Sequence, residues 1–273
     1  MATSRKPRIE TALITGASSG IGQALAKRFA QSGHPVVLVA RNRTALESLA
    51  AALTADYGVK AWAQPADLAR PGTAQALAVE LKRKRIRVDV LVNNAGVLQQ
   101  GRFVAVPAER HQALVDLNVA GLTAMLAHFL PAMCARGRGR VLNVASIAAF
   151  QPVPTLATYA ATKAFVLSLT ESLAEELHGS GVTVTALCPG ITDTNMLSGA
   201  TRENAKLARL PGLLIGDADE VADEGYRACM EGAVVSVPGR VNQAVTLASR
   251  ATPKWLLRRI AGALMRKGAQ GHR

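Results

Sequence analysis

Short, almost entirely apolar runs alternate with longer amphipathic segments along most of this chain. The apolar runs are rich in β-branched residues and predict strands at 9–15, 36–40, 59–63, 88–92, 139–146, 182–188 and 233–237. The segments between them repeat apolar positions at three- and four-residue steps and predict helices at 23–33, 44–57, 73–84, 107–135, 157–178 and 219–230. Because strand and helix alternate, we expect an α/β fold with a doubly wound parallel sheet, three layers and right-handed crossovers.

Three polar residues stand out against this pattern, namely Ser146, Tyr159 and Lys163. Tyr159 and Lys163 are four residues apart in a predicted helix, so they share one face. Ser146 follows an apolar run, at the carboxyl end of a strand, where open sheets bind ligands. A nearby ammonium lowers the pKa of a tyrosine and suits it to proton transfer, while the serine hydroxyl holds a substrate oxygen. The alternative is a surface helix that carries Tyr and Lys by chance.

A glycine-rich turn lies between the first predicted strand and the first predicted helix. Its spacing is G-x-x-x-G-x-G, which differs from the G-x-G-x-x-G dinucleotide fingerprint and from a Walker loop. Strand, glycine turn and helix together direct backbone N–H groups and a helix N-terminus at a phosphate. The candidate phosphate-binding residues are Gly16, Ser18, Ser19, Gly20, Ile21 and Gly22.

The residues at the end of the second predicted strand indicate whether the chain binds NAD or NADP. A carboxylate there binds a ribose 2′-hydroxyl, but the residues are Arg41, Asn42 and Arg43. Arginine suits a 2′-phosphate, so the sequence predicts NADP(H) rather than NAD, with Arg41 as the candidate contact. The alternative is that these are ordinary solvated arginines of a loop.

Amide side chains mark two further positions. Asn93, Asn94, Ala95 and Gly96 follow the fourth predicted strand, where they would line the same crevice or form a simple turn. Asn118 lies inside a predicted helix, where asparagine is unfavourable, so we expect its side chain to bind a specific partner.

Composition narrows the functional classes. The chain has 273 residues, of which 49% are hydrophobic, so it can form a sizeable core. Its formal net charge of +13 is concentrated at the two ends, which disfavours a nucleic-acid surface. Its three cysteines lack metal-ligand spacing, and we expect no metal site. No 18-residue apolar run is evident, and residues 1–10 lack the apolar region of a signal peptide, so we expect neither a spanning helix nor a signal peptide.

These motifs together resemble the short-chain dehydrogenase/reductase family over about residues 9–240. The residues and motifs on which this resemblance rests are T-G-x-x-x-G-x-G at 15–22, N-N-A-G at 93–96, Asn118, Ser146, the Y-x-x-x-K pair and P-G-x-x-x-T at 189–194. The resemblance implies a single Rossmann-like domain, NADP(H) as cofactor and carbonyl–alcohol interconversion. It implies the catalytic set Asn118, Ser146, Tyr159 and Lys163, with Tyr159 as the general acid or base. It also implies further cofactor contacts at Asp67, Leu68, Asn94, Ala95, Gly96, Asn118, Tyr159, Lys163, Pro189, Gly190, Thr192 and Thr194.

The family resemblance leaves the substrate open. The residues that flank Ser146 and Tyr159 are apolar, namely Ala148, Ala149, Phe150, Val153, Pro154 and Leu156. Apolar residues here favour an apolar ketone, aldehyde or acyl substrate over a sugar. The alternative is that these side chains only pack in the core. Family members are usually dimers or tetramers, so we expect a homodimer or homotetramer built on helices 118–135 and 157–178. We expect a cytoplasmic enzyme that acts on a small molecule.

The two ends lie outside this shared core. We expect a basic lead at 1–8, the catalytic domain at 9–240 and a basic amphipathic extension at 241–273. From Thr252 onward the extension has an apolar face opposite several arginines, which can bind an anionic membrane or dock on protein. Two alternative functions therefore remain: a membrane-surface 3-ketoacyl reductase, and a catalytically silent NADP-binding regulator.

Overall fold

The described part of the chain forms seven strands and eight α-helices. The structure is a computed structural model, and it describes residues 9–192 and 216–252 together with residue 259. The strands are β1 Ala12–Thr15, β2 Val36–Ala40, β3 Ala61–Pro65, β4 Val90–Asn93, β5 Gly139–Val144, β6 Val182–Leu187 and β7 Val235–Ser236. The helices are α1 Gly20–Gln31, α2 Arg43–Tyr57, α3 Thr73–Arg83, α4 Ala108–Val115, α5 Leu122–Ala135, α6 Ala157–Glu176, α7 Ala218–Glu231 and α8 Arg240–Ala251.

All seven strands belong to one parallel sheet in the order β3-β2-β1-β4-β5-β6-β7. The order reverses direction at β1, because β2 and β3 lie on one side of it and β4 to β7 on the other. Crossover connections diverge at such a point and leave a crevice outside the carboxyl ends of the strands. The predicted doubly wound, Rossmann-like fold is confirmed, and this crevice is where the site is expected.

Two hydrophobic cores cover the two faces of the sheet. Alternate residues of β2 separate them: Val36 and Leu38 belong to the core beneath α1, α2 and α7, whereas Val37 and Val39 belong to the core beneath α3, α5 and α6. Because successive side chains of a strand point to opposite faces, a strand covered on both sides is apolar throughout. This accounts for the continuous apolar runs in the sequence and confirms the predicted three layers.

The long helix predicted from Pro107 is continuous to Ala135 but changes its winding on the way. Pro107 precedes α4, and a π-helical segment, Asp116–Gly121, joins α4 to α5. Among the described residues, this run is long and apolar enough to cross a membrane by length and composition, contrary to the sequence-based expectation. Core helices pass the same criterion, and α5 packs against β4 and β5 here.

Several element bounds differ from the sequence-based expectation, and three of the differences concern β1, β3 and α8. β1 begins at Ala12 rather than at residue 9, and β3 lies at Ala61–Pro65 rather than at 59–63. Helix α8 was not predicted, and it begins at Arg240, across the expected domain boundary at 240–241. The basic lead at 1–8, Thr194, and the amphipathic stretch at 253–273 apart from residue 259 lie outside the described residues.

Candidate active site

The glycine turn between β1 and α1 adopts a conformation that its glycines make possible. Gly16 and Gly20 have φ values of +67° and +54°, a region that L side chains rarely occupy. A side chain at Gly22 would collide with the carbonyl oxygen of Gly16, so the turn folds closely onto the first turn of α1. No acidic residue lies in that first turn. The turn therefore presents backbone N–H groups and the positive end of a helix to the crevice.

Hydrogen bonds through Thr15 fasten this turn to the end of β4. The Thr15 hydroxyl accepts from the backbone N–H groups of Asn94 at 2.9 Å and Ala95 at 3.0 Å, and it donates to Val92 O at 3.2 Å. Asn94 Nδ2 donates to Thr15 O at 3.0 Å. Asn94 is predicted from the sequence as a ligand contact, whereas Thr15 is not among the predicted site residues. In the structure both residues hold the two strand ends together.

A cavity of about 590 Å³ occupies the crevice at the switch point. It is lined by most of the predicted residues, namely Gly16, Ser18, Ser19, Gly20, Ile21, Arg41, Asp67, Leu68, Asn94, Ala95, Gly96, Ser146, Tyr159, Lys163, Pro189, Gly190 and Thr192. Gly22 and Asn118 do not line it. The fold thus brings residues from seven separate stretches of sequence to one cleft.

Asn118 binds protein atoms rather than facing the cleft. It lies in the π-helical segment, buried, where Oδ1 accepts from Val97 N at 2.9 Å and Nδ2 donates to Val97 O at 3.0 Å. Nδ2 also donates to Thr162 Oγ1 at 3.1 Å, and that hydroxyl donates to Tyr159 O. The expectation that Asn118 binds a specific partner is confirmed. Its contacts connect the loop after β4 to helix α6, on which Tyr159 lies.

Ser146 and Tyr159 meet at the floor of the cleft. Ser146 ends the segment after β5, and its hydroxyl accepts from Ala148 N at 3.1 Å. Tyr159 is the third residue of α6, is 9% exposed and lines the same cavity as Ser146. Burial raises the pKa of Tyr159, and the neighbouring Ser146 side chain opposes that rise only in part.

Lys163 does not lower the pKa of Tyr159 as the sequence analysis expected. Its Nζ donates to Val144 O at 2.8 Å and lies 5.8 Å from the centroid of the Tyr159 ring. Burial is the dominant effect on both groups: it disfavours phenolate on Tyr159, and it lowers the pKa of Lys163 to about 8, while Cys188 acts in the opposite direction on the lysine. Helical spacing aligned the two residues but gave no information about how deeply both are buried.

At the far end of the cleft, the two arginines after β2 have different environments. Arg41 lines the cavity, whereas Arg43 lies 3.5 Å from Glu47 on the surface of α2. Asn42 caps α2 by accepting from Ala45 N at 3.1 Å. Arg41 is therefore the residue of this group that is placed to meet an anion in the cleft, as the sequence analysis proposed.

The opposite end of the cleft has an apolar wall. It includes Ala148, Val153 and Leu156 from the predicted set, together with Val97 and Leu98 from the loop after β4. Ala149 and Phe150 instead pack against the core beneath α3, α5 and α6, and Pro154 does not line the cavity. Two polar residues that the sequence analysis missed, Gln100 and Gln151, also line this end. No motif marks them, because they come from loops whose course is set by tertiary packing.

The cleft as a whole suits an elongated anionic ligand, with the glycine turn and Arg41 toward one end and the buried Tyr159 toward the other. The sequence profile of the short chain dehydrogenase family matches residues 10–205. The chain belongs to the short-chain dehydrogenase/reductase family. It is an oxidoreductase of that family, and the match extends from β1 past β6.

Individual family members extend the comparison. A 3-oxoacyl-[acyl-carrier-protein] reductase of Synechocystis sp. is 36% identical over 214 residues, which are 78% of this chain and 86% of the relative. A solved short-chain dehydrogenase from Sphingobium yanoikuyae, in complex with NADPH, is 36% identical with a TM-score of 0.79 and covers 97% of this chain and 96% of its own. The bulky-bulky ketone specific alcohol dehydrogenase from Comamonas testosteroni is 30% identical with a TM-score of 0.75, over 91% and 96% of the two chains.

Proposed function

We propose that the protein is an NADPH-dependent reductase of a neutral, largely apolar ketone or aldehyde. The observation that carries this proposal is the buried Ser146–Tyr159 pair, which lies at the floor of a cleft that begins at the glycine turn. A protonated phenol beside a serine hydroxyl is suited to bind a carbonyl oxygen and deliver a proton to it.

The cofactor assignment rests on the residues of the cleft. The tight glycine turn, the N-terminus of α1 and Arg41 together match a dinucleotide with an additional phosphate on its ribose. The solved Sphingobium relative, which contains NADPH, supports the same cofactor for this chain. NADPH supplies the hydride, and the protein supplies position and electrostatics.

Three side chains carry out the remaining chemistry in this proposal. Tyr159 is protonated at neutral pH because burial raises its pKa, so it is poised as the acid that protonates the carbonyl oxygen. Ser146 holds that oxygen against the phenol. Lys163, whose pKa is lowered to about 8, provides a buried donor beside Gly96 that is placed to bind a ribose hydroxyl of the cofactor. Asn118 contributes by fixing Val97 and the start of α6.

The substrate class follows from the charges around the cleft. Among the described lining residues, Arg41, Asp67 and Lys163 are the charged ones, and all three belong to the proposed cofactor contacts. The substrate end has the apolar wall and the two amides, Gln100 and Gln151, which suit a neutral apolar ketone with hydrogen-bonding groups. The Comamonas relative, described as specific for bulky ketones, supports this choice.

A 3-ketoacyl substrate is the second candidate, favoured by the Synechocystis relative. The membrane attachment that the sequence allows for it would depend on residues 253–273, of which the structure describes only residue 259. We therefore propose the ketoacyl activity without a membrane surface. The cytoplasmic location and the catalytic-domain boundary at residue 240 stay predictions.

We also propose a homodimer or homotetramer built on α5 and α6. An apolar groove of about 300 Å³ lies between these helices, lined by Thr123, Leu126, Ala127, Leu130, Pro131, Cys134, Leu169 and Leu173. A second copy of the chain would cover it. Analytical ultracentrifugation tests this, and a monomer at micromolar concentration would contradict it.

The decisive experiment follows the absorbance of NADPH during incubation with ketones, aldehydes and β-ketoacyl thioesters. We expect consumption with hydrophobic ketones and none with sugars or charged ketones. Fluorescence titration with NADPH and NADH runs in parallel. Tight NADPH binding without turnover of any compound would favour the silent regulator, and absence of NADPH binding would overturn the proposal as a whole.

A further inference from the structure

Asn242, on helix α8, lies directly against Gly190 in the cleft wall. A Cβ atom added to Gly190 would lie 2.6 Å from both Nδ2 and Oδ1 of Asn242, and 2.8 Å from its Cγ. The amide of Asn242 therefore rests on the bare Cα of Gly190. Helix α8 follows the last residue of the family match, residue 205, by more than thirty residues, so no family motif points to this contact.

The amide that touches Gly190 is itself held in place. Asn242 Nδ2 donates to Pro238 O at 2.8 Å, across the first turn of α8. Helix α8 also packs against the short 3₁₀ turn Ile147–Phe150 that follows Ser146. The Asn242 side chain is thus held at its amide by Pro238 O, on a helix that itself packs against the segment after Ser146.

The other side of the same turn is bonded to the catalytic segment. Ile147 N donates to Pro189 O at 3.0 Å, and Pro189 and Gly190 both line the cavity. The Pro189–Gly190 turn therefore lies between the Ser146 segment and Asn242. Contact with Asn242 limits how far the turn can move away from the cleft.

We propose that Asn242 is a positioning residue that holds the Pro189–Gly190 turn at the catalytic end of the cofactor cleft. This inference rests on the proposed function, because the family resemblance implies cofactor contacts at Pro189 and Gly190, and the turn is bonded to the segment of Ser146, where the hydride of NADPH would be transferred. Without the amide, the turn gains room to withdraw, and the contacts at that end weaken. The glycine turn and Arg41 lie at the other end of the cleft and are unaffected.

The test compares Asn242→Ala with Gln243→Ala. Gln243 is the next residue of α8, is exposed, and donates to Val237 O at 3.0 Å without touching Gly190. For Asn242→Ala we expect kcat to fall roughly 10-fold, because a small displacement of a positioning group has a large effect on rate. The affinity for NADPH should fall, whereas the affinity for 2′,5′-ADP, which lacks the nicotinamide, should not change. For Gln243→Ala all three should equal the wild type.

Gly190→Ala, made in the wild type and in the Asn242→Ala background, distinguishes positioning of the Pro189–Gly190 turn by Asn242 from general destabilisation of the protein. Gly190→Ala directs its new methyl group at the Asn242 amide, so it should weaken NADPH binding in the wild-type background. In the Asn242→Ala background the obstructing amide is absent, and the same substitution should have a smaller effect. Equal losses in the two backgrounds, or a parallel loss of 2′,5′-ADP binding, would overturn the inference.

These binding measurements use NADPH fluorescence and do not require a substrate. A wild-type protein that binds NADPH but reduces no ketone would contradict the proposed activity and still leave the Asn242 comparison decisive. Conversely, ordinary turnover with unchanged NADPH affinity in Asn242→Ala would contradict only the role of Asn242.

Discussion

The two ends of the cleft are built in different ways. At the cofactor end, backbone geometry and hydrogen bonds define the surface: Gly16 has a positive φ, and Thr15 bonds to the segment after β4. At the substrate end, side chains from two loops form the wall, among them Val153 and Leu156. Backbone geometry tolerates few substitutions, whereas an apolar wall tolerates many. The comparison explains why the cofactor end has recognisable motifs and the substrate end has none.

The substitution with the largest expected effect on turnover is at Tyr159, where the cofactor end and the substrate end of the cleft meet. Tyr159→Phe removes the phenolic proton donor but keeps the ring, so carbonyl reduction should fall roughly 10²- to 10⁴-fold, the usual contribution of general acid catalysis. The NADPH dissociation constant should stay within a factor of about three, because the aromatic ring stays in place and the glycine turn, Arg41 and Lys163 are unchanged. Steady-state kinetics and fluorescence titration measure the two quantities. Turnover close to that of the wild type would remove Tyr159 from the mechanism.

Lys163 should make the stability of the ligand-free protein depend on pH. Its pKa is about 8 in the folded chain, and about 10.4 in an unfolded one. Below pH 8 both states are protonated and the burial of the ammonium destabilises the fold in full. Between the two values the unfolded chain binds more protons, so stability rises with pH, by up to about 3 kcal/mol.

The matched comparison for this effect is Lys163→Met, which has no titrating group at this position. Urea unfolding at pH 7 and pH 10 gives the free energy of unfolding of both proteins. The advantage of the methionine variant should shrink as the pH rises. A difference that stays constant across this range would show that Lys163 is not desolvated as the structure implies.

Arg41 tests the far part of the cofactor end. Loss of a charge-assisted hydrogen bond to a 2′-phosphate weakens binding by about 1.5–3 kcal/mol, or roughly 10- to 150-fold. Arg41→Ala should therefore weaken NADPH by that factor and leave NADH nearly unchanged. Arg43→Ala is the control, because Arg43 pairs with Glu47 outside the cavity. Equal effects of the two substitutions would point to a nonspecific role of positive charge.

The substrate end should respond more weakly and more selectively. Leu156→Ala removes part of the apolar wall, and the preference between a large and a small ketone should change by about 10-fold, with the NADPH affinity unchanged. Leu49→Ala, a half-buried leucine of α2 away from the cleft, serves as the control. If Leu156→Ala changed NADPH affinity more than ketone preference, the two ends would not be separable as described.

The fold and the family were predictable because their signals are local, and most of the candidate residues line one cleft, although their roles stay predictions. Apolar runs and helical spacing define the sheet and its layers, and glycine at positions such as Gly16 is required by backbone geometry. The direction of the pKa shift of Tyr159 was predicted wrongly. It depends on burial by elements far apart in sequence, which spacing along one helix does not contain.

Helix α8 and its contact with Gly190 were missed for a related reason. The buried positions of α8 are polar, at Thr246 and Ser249, whereas Val241, Val245 and Leu247 are exposed, so the helix lacks the apolar core face that sequence reasoning looks for. The importance of Asn242 comes from its neighbour across the fold rather than from its own sequence context. Gln100 and Gln151 were missed in the same way, since loop residues acquire their environment only in the folded chain.

The π-helical segment Asp116–Gly121 sets the angular phase between α4 and α5. Each residue of an α-helix turns the chain by about 100°, so the wider turn offsets everything that follows it. Asn118 can then point at Val97 while α5 keeps its apolar side on β4 and β5. Deletion of one residue here would restore regular winding and leave α5 in its place on the sheet. The wide turn from which Asn118 reaches Val97 would be lost, and with it the link between the loop after β4 and α6.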